Sequence, residues 1–199
     1  MTDAPPARRP VGFAIFLLIT GLVGFLAAFQ LIVERIHNLQ FPQDPLSCAV
    51  SPFIDCGANF AAWQGSLLGF PNPLLGVAGF VAPIAVAVSL LAGARFDRWY
   101  WRLFTAGILG AYLFITWLFT QTAFVIGVLC PFCMVVWIAT IPMWWHLLAW
   151  TLKHGLLFGD RTRAFGAVAL RWAWAVTLVN YAIMAIILIA MNPLLLTTL

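Results

Sequence analysis

Charged residues are scarce in this sequence: aspartate, glutamate, lysine and arginine make up only 8% of it, against 64% hydrophobic residues. A soluble globular domain carries about 25% charged residues, so this composition excludes that class. The chain also lacks a strand followed by GxGxxG, which argues against a flavin or nicotinamide site. A length of 199 residues fits one domain. The sequence therefore predicts a single integral membrane domain.

Five apolar runs reach the length of about 20 residues that a helix needs to cross a hydrocarbon core. They cover residues 11–33, 73–92, 103–127, 131–150 and 172–191. The first run lacks a convincing small-x-small cleavage site, so we expect it to be retained rather than removed as a signal peptide. An all-α membrane protein with five transmembrane helices is the predicted fold.

Basic residues are unevenly distributed between these runs, and the distribution predicts the orientation. They occur before run one, between runs two and three, and between runs four and five: Arg8, Arg9, Arg95, Arg98, Arg102, Lys153, Arg161, Arg163 and Arg171. The 34–71 loop holds only Arg35, and the 128–131 turn holds none. The positive-inside rule then predicts a cytoplasmic tail at 1–10, an external cysteine loop at 34–71 and a short external tail at 192–199 of a cell-membrane protein.

Cysteine is also rare, with four residues arranged as two pairs. Cys48 and Cys56 lie in the polar loop, and Cys130 and Cys133 form Cys-Pro-Phe-Cys at the start of run four. Both pairs fall on the predicted external face, where disulfides persist. A membrane protein with little soluble mass seldom needs disulfides for stability, so the pairs indicate thiol–disulfide chemistry.

The Cys-Pro-Phe-Cys segment is suited to a reactive dithiol. Pro131 fits the first position of a helix, which puts Cys130 near the N-cap and Cys133 one turn later on the same face. The free N–H groups and the helix dipole stabilise a thiolate there. A structural disulfide and half of a zinc site are the alternatives. Zinc prefers two close pairs, whereas Cys48 and Cys56 are separated by seven residues, so no metal site is expected.

The residues that follow the loop pair predict a lid over the bundle. Phe60, Trp63, Leu67 and Phe70 recur at three- and four-residue spacing. That periodicity is typical of an amphipathic helix, which we place at 57–68 on the surface of the bundle. The nine-residue loop closed by Cys48 and Cys56 permits a disulfide of ordinary geometry in a mobile strap.

Residues 51–57, 69–76 and 130–133, in this order and spacing, resemble the vitamin K epoxide reductase family, particularly its bacterial disulfide-forming branch. The resemblance runs from the first to the fourth apolar run, and the fifth matches only in placement. It implies a four-helix transmembrane bundle around a quinone of the menaquinone, ubiquinone or vitamin K type. Because only a few residues follow run five, it also implies that the thioredoxin-fold (DsbA-like) partner is a separate protein.

The resemblance implies an electron path through the four cysteines. A reduced partner passes electrons to the Cys48–Cys56 disulfide, with Cys48 as the outward-facing thiol. Cys56 then attacks Cys130, and Cys133 is left as a thiolate beside the quinone. The implied activity is that of a membrane oxidoreductase that supports disulfide formation in exported proteins. Reduction of a quinone or of vitamin K epoxide as the physiological purpose, and a non-enzymatic scaffold with structural disulfides, are the alternatives.

Two further residues are candidate quinone ligands. Asn72 matches the family asparagine that hydrogen-bonds a quinone carbonyl, although Asn before Pro73 also suits a helix cap. Many family members have Tyr four residues after the second CxxC cysteine, where this chain has Trp137. Its indole N–H could donate in place of the hydroxyl, and a packing role is the alternative.

Overall fold

Six helices account for most of the chain in a computed structural model, which describes residues 10–51 and 53–191. The helices are α1 Val11–Gln40, α2 Gly57–Ala61, α3 Asn72–Ala92, α4 Arg98–Gln121, α5 Pro131–Lys153 and α6 Arg163–Met191. A π-helical turn at Thr122–Ile126 extends α4, and 3₁₀ turns occupy Trp63–Ser66 and Asp160–Thr162. Residues 1–9 and the predicted tail at 192–199 lie outside the described residues.

Five of the helices in this described part are long and apolar enough to cross a membrane, which confirms the all-α membrane fold and the number of spans. α1 continues to Gln40, beyond the predicted end at residue 33. The helix tolerates Glu34 because Gln30 and Ser47 donate hydrogen bonds to its carboxylate. A buried carboxylate needs such donors to offset its lost hydration.

The bundle is closed on most sides and open on one. α1 packs against α3 and α5, and α5 packs against α4 and α6. Gly24 lets α1 approach α3 closely, since a side chain there would collide with the ring of Phe80. α3 and α4 scarcely contact each other. The four helices α1, α3, α4 and α5 therefore surround a space that is open between α3 and α4.

The predicted lid helix at 57–68 is wrong in detail. α2 ends at Ala61, Ala62 has extended backbone (φ −74°, ψ 140°), and a 3₁₀ turn follows. Phe60 is buried, whereas Trp63 is 64% exposed. The break at Ala62 turns these two aromatic side chains in different directions, so the apolar residues do not share one face. We call residues 57–68 the lid segment.

Candidate redox site

Backbone hydrogen bonds join the cysteine loop to the chain just before α5. Ile54 and Leu129 form a parallel bridge, in which the Leu129 N–H donates to the Phe53 carbonyl at 2.8 Å and the Asp55 N–H donates to the Leu129 carbonyl at 2.9 Å. Cys56 follows one side of this bridge and Cys130 follows the other. The bridge therefore brings one cysteine of each pair together.

The sulfur atoms are arranged for exchange between the pairs. Cys48 and Cys56 form a disulfide with a Cα–Cα distance of 5.9 Å, and Cys130 and Cys133 are free thiols. The Cys130 Sγ lies 3.3 Å from the Cys56 Sγ. Thiol–disulfide exchange begins with a thiolate in contact with a disulfide sulfur, so this arrangement needs little movement to react.

Cys130 occupies the N-cap of α5, as the position of Pro131 predicts. Its Sγ accepts a hydrogen bond from the Cys133 N–H at 3.4 Å. The pKa of the Cys130 thiol is lowered, chiefly because the Cys133 side chain donates to it and further because backbone N–H groups do so. Burial and the charge of Asp55 oppose this effect. Because the pKa is lowered, more of Cys130 is thiolate at a given pH than in an ordinary cysteine.

Cys48 is not outward-facing in this structure, contrary to the expectation. It is 3% exposed, whereas its neighbour Val50 is 73% exposed. The backbone N–H and the hydroxyl of Ser47 both donate to the Glu34 carboxylate, and these bonds hold the cysteine loop against α1. The sequence could not show this contact because it depends on a helix and a loop meeting in three dimensions. A protein that reaches Cys48 must first displace this part of the loop.

A cavity of about 540 Å³ lies next to the CxxC pair, lined by α1, α3, α4, α5 and the lid segment. Its lining is mostly apolar and includes Cys133, Asn72 and Trp137, so the structure brings three of the predicted site residues to one space. Its volume falls within the range of about 300–1,000 Å³ that is typical of small-molecule sites.

Asn72 is the first residue of α3, but its side chain does not cap the helix. The Nδ2 donates to the Gln64 carbonyl at 2.6 Å, and the Oδ1 accepts from the Leu67 N–H at 3.2 Å. The capping alternative is therefore wrong, and Asn72 instead ties the lid segment to α3. Its amide retains one N–H and one lone pair for a ligand, so the quinone role stays a prediction.

Trp137 is buried in the cavity wall, where its ring meets the ring of Phe119 edge to face at a centroid distance of 5.4 Å. Within the described residues, the indole N–H has no hydrogen-bond acceptor. Packing and donation to a ligand are therefore compatible roles for this side chain.

Two amide side chains that were not predicted as site residues also line the cavity, those of Gln64 and Asn59. Gln64 is buried and donates to the Gln121 Oε1 at 3.3 Å, which joins the lid segment to the end of α4. The Asn59 Nδ2 donates to the Val128 carbonyl at 3.2 Å. An amide side chain within an apolar stretch is the signal that could have identified them.

The model of the vitamin K epoxide reductase family matches residues 15–148. This range contains all four cysteines, Asn72 and Trp137, and it ends before α6. No curated protein and no solved structure matches the chain. The match covers more than half of the sequence, and the five apolar helices accord with a multi-pass membrane oxidoreductase. The chain belongs to the vitamin K epoxide reductase family.

Proposed function

We propose that this protein oxidises the dithiol of an external thioredoxin-fold protein and passes the electrons to a membrane quinone, which supports disulfide formation in exported proteins. The observation that carries the proposal is the 3.3 Å contact between the sulfurs of Cys56 and Cys130, one from each pair. Membership in a family of oxidoreductases argues against the scaffold alternative. The loop charges support an orientation with a cytoplasmic N-terminus and external cysteines.

The proposed relay is a series of sulfur exchanges. The partner's two thiols reduce the Cys48–Cys56 disulfide and become a disulfide themselves. The Cys56 thiolate then attacks Cys130 of the oxidised CxxC pair, which releases Cys133 as a thiolate. Cys48 attacks Cys56, re-forms the loop disulfide and releases Cys130. The structure has this pairing, with an oxidised loop and a reduced CxxC pair.

The cavity suits a quinone as the electron acceptor. A bound quinone would accept the two electrons and two protons that the dithiol releases when the Cys130–Cys133 disulfide forms. The apolar walls suit a ring with a lipid tail, and the free indole N–H of Trp137 and the amide of Asn72 suit its carbonyl oxygens. Cys133 lies in the same wall as Trp137, so we assign it the position beside the ring.

The opening between α3 and α4 suits the tail of such a lipid. A methyl group added at Gly79, Gly107 or Gly110 would meet no atom within 4 Å beyond its own stretch of helix backbone, so open space lies beside both helices. All three glycines also line the cavity. The gap therefore leads from the cavity to the outside of the bundle, between two helices that are long and apolar enough to span a membrane.

Narrowing this opening should discriminate between quinones by tail length. Gly107→Leu places a side chain in the gap, and we expect the KM for a long-tailed quinone to rise at least about fivefold, the effect of overpacking by 1 kcal/mol or more. The KM for a tail-less quinone should change little. Ala106→Leu, on an exposed neighbouring position of α4, is the matched control. Equal effects on both quinones would argue against this entrance.

Asn72→Ala should raise the KM for quinone about fivefold, because a lost hydrogen bond to a buried ligand is worth about 1 kcal/mol. Exchange between the partner and the loop disulfide should continue at its normal rate, since the bridge between Ile54 and Leu129 remains. Steady-state kinetics with varied quinone, beside stopped-flow partner oxidation, measures both. An unchanged KM would restrict Asn72 to holding the lid segment.

A further inference from the structure

Pro142 lies inside α5 and leaves a backbone carbonyl without its usual partner. A proline has no N–H, so the carbonyl four residues earlier, that of Ile138, loses its helical hydrogen bond. In an apolar membrane such a carbonyl needs a donor from elsewhere, because water is absent. The Tyr181 hydroxyl of α6 supplies it, at 2.8 Å from the Ile138 oxygen.

The preceding residue of α6 makes a second pair of polar contacts across the bundle. The Asn180 Oδ1 accepts from the Tyr112 hydroxyl of α4 at 2.9 Å and from the Trp145 Nε1 of α5 at 3.4 Å. Two consecutive residues of α6 therefore bind both helices that form this side of the cavity. Hydrogen bonds of this kind fix helix positions in a membrane, because an apolar side chain packs about as favourably against lipid as against a neighbouring helix.

The Tyr181 contact acts on the turn of α5 that carries two residues of the cavity wall. Ile138 directly follows Trp137, and Cys133 lies just over one turn before Trp137. Tyr181 also packs against the cluster that contains Trp137 and Ile141. Among the described residues, α6 contributes nothing to the cavity lining, and the family match ends before this helix.

We propose that Tyr181 is a positioning residue, through which α6, itself joined to α4 and α5 by Asn180, holds the turn of α5 that carries Cys133 and Trp137 in register with the electron acceptor. This inference rests on the proposed function. Without the tyrosine hydroxyl, the Ile138 carbonyl must find another partner, and the turn before Pro142 gains freedom. The indole of Trp137 and the sulfur of Cys133 then lose their fixed relation to a ligand. Exchange with the cysteine loop does not depend on this turn, because backbone hydrogen bonds at Leu129 hold the loop in place.

Tyr181→Phe tests the inference because it removes only the hydroxyl. We expect the KM for quinone to rise about fivefold, which corresponds to the loss of one hydrogen bond. The kcat and the rate of partner–loop exchange should stay within about twofold of the wild-type values. Amide hydrogen exchange in the peptide 138–146 should increase in the purified protein. Tyr100→Phe is the matched control, since the described residues give Tyr100 ring contacts and no hydrogen bond.

A double-mutant cycle with Pro142→Ala makes the test specific. Alanine restores the N–H at position 142, so the Ile138 carbonyl regains its helical partner. Tyr181→Phe should then have little effect on the KM or on amide exchange in the Pro142→Ala background. An equal effect in both backgrounds, or faster amide exchange without a change in KM, would overturn the positioning role.

The same measurements separate this inference from the proposed function. Amide exchange needs no turnover, so it reports on the Tyr181–Ile138 contact even if the wild-type protein does not reduce quinone. A wild-type protein without quinone activity would refute the function. Normal quinone activity with unchanged kinetics in Tyr181→Phe would refute the positioning role alone.

Discussion

Cys48→Ala is expected to abolish partner oxidation and to trap a disulfide between Cys56 and Cys130. Cys56 can still attack an oxidised CxxC pair, because the sulfurs of Cys56 and Cys130 are 3.3 Å apart in the structure. Cys48 is the thiol that would release Cys130 and re-form the loop disulfide, so its loss stops the exchange at the mixed disulfide. Cys133 is then left as a free thiol.

Peptide mapping of acid-quenched, nonreduced protein identifies this cross-link. Cys56→Ala is the control, since it removes the sulfur that Cys130 contacts, and the Cys56–Cys130 cross-link cannot form. Full partner oxidation by Cys48→Ala, or Cys130 found bonded only to Cys133 in that variant, is incompatible with the proposed order of exchange.

Cys133→Ser should form the same pair from the opposite direction and abolish quinone reduction. Cys130 can attack Cys56 of the loop disulfide, which releases Cys48, and the variant lacks the Cys133 thiol that would attack Cys130 and release Cys56. The mixed disulfide can then be broken only by the released Cys48, and alkylation of Cys48 prevents that reversal. The 3.3 Å contact between the Cys130 and Cys56 sulfurs favours this attack.

The two variants differ in their free thiol, and labelling can tell them apart. A membrane-impermeant maleimide should label Cys48 in Cys133→Ser, because the released loop can move away from α1. It should label Cys133 in Cys48→Ala more slowly, since that side chain lines the cavity. Rapid labelling of Cys133, or a loop disulfide that stays intact during prolonged labelling of Cys133→Ser, would contradict the assignment of Cys56 and Cys130 as the exchanging pair.

The features that the sequence predicted depend on local patterns. The five spans follow from continuous apolar runs, and the N-cap position of Cys130 follows from Pro131 beside it. The cysteine pairs and the family resemblance follow from residues close together in the chain. The structure confirms the fold class and the number of spans for these reasons.

The features that the sequence missed depend on contacts between distant segments. Cys48 is buried because Ser47 binds Glu34 on α1, and Asn72 binds the lid segment rather than capping α3. The lid helix breaks at Ala62, although its apolar spacing is helical. Periodicity reports which side chains are apolar but not which neighbour each one meets. The hydrogen bond from Tyr181 to Ile138 was missed for the same reason, because it depends on where α6 packs against α5.

The most direct test is whether the purified protein, in lipid nanodiscs without endogenous quinone, couples the oxidation of a reduced thioredoxin-fold protein to quinone reduction. Partner disulfide and quinol are measured in the same samples. We predict that partner oxidation stops after the enzyme's own disulfides are consumed, and that added quinone restores it with one quinol formed for each partner disulfide. Sustained partner oxidation without quinone, or no oxidation when quinone is present, would contradict this prediction.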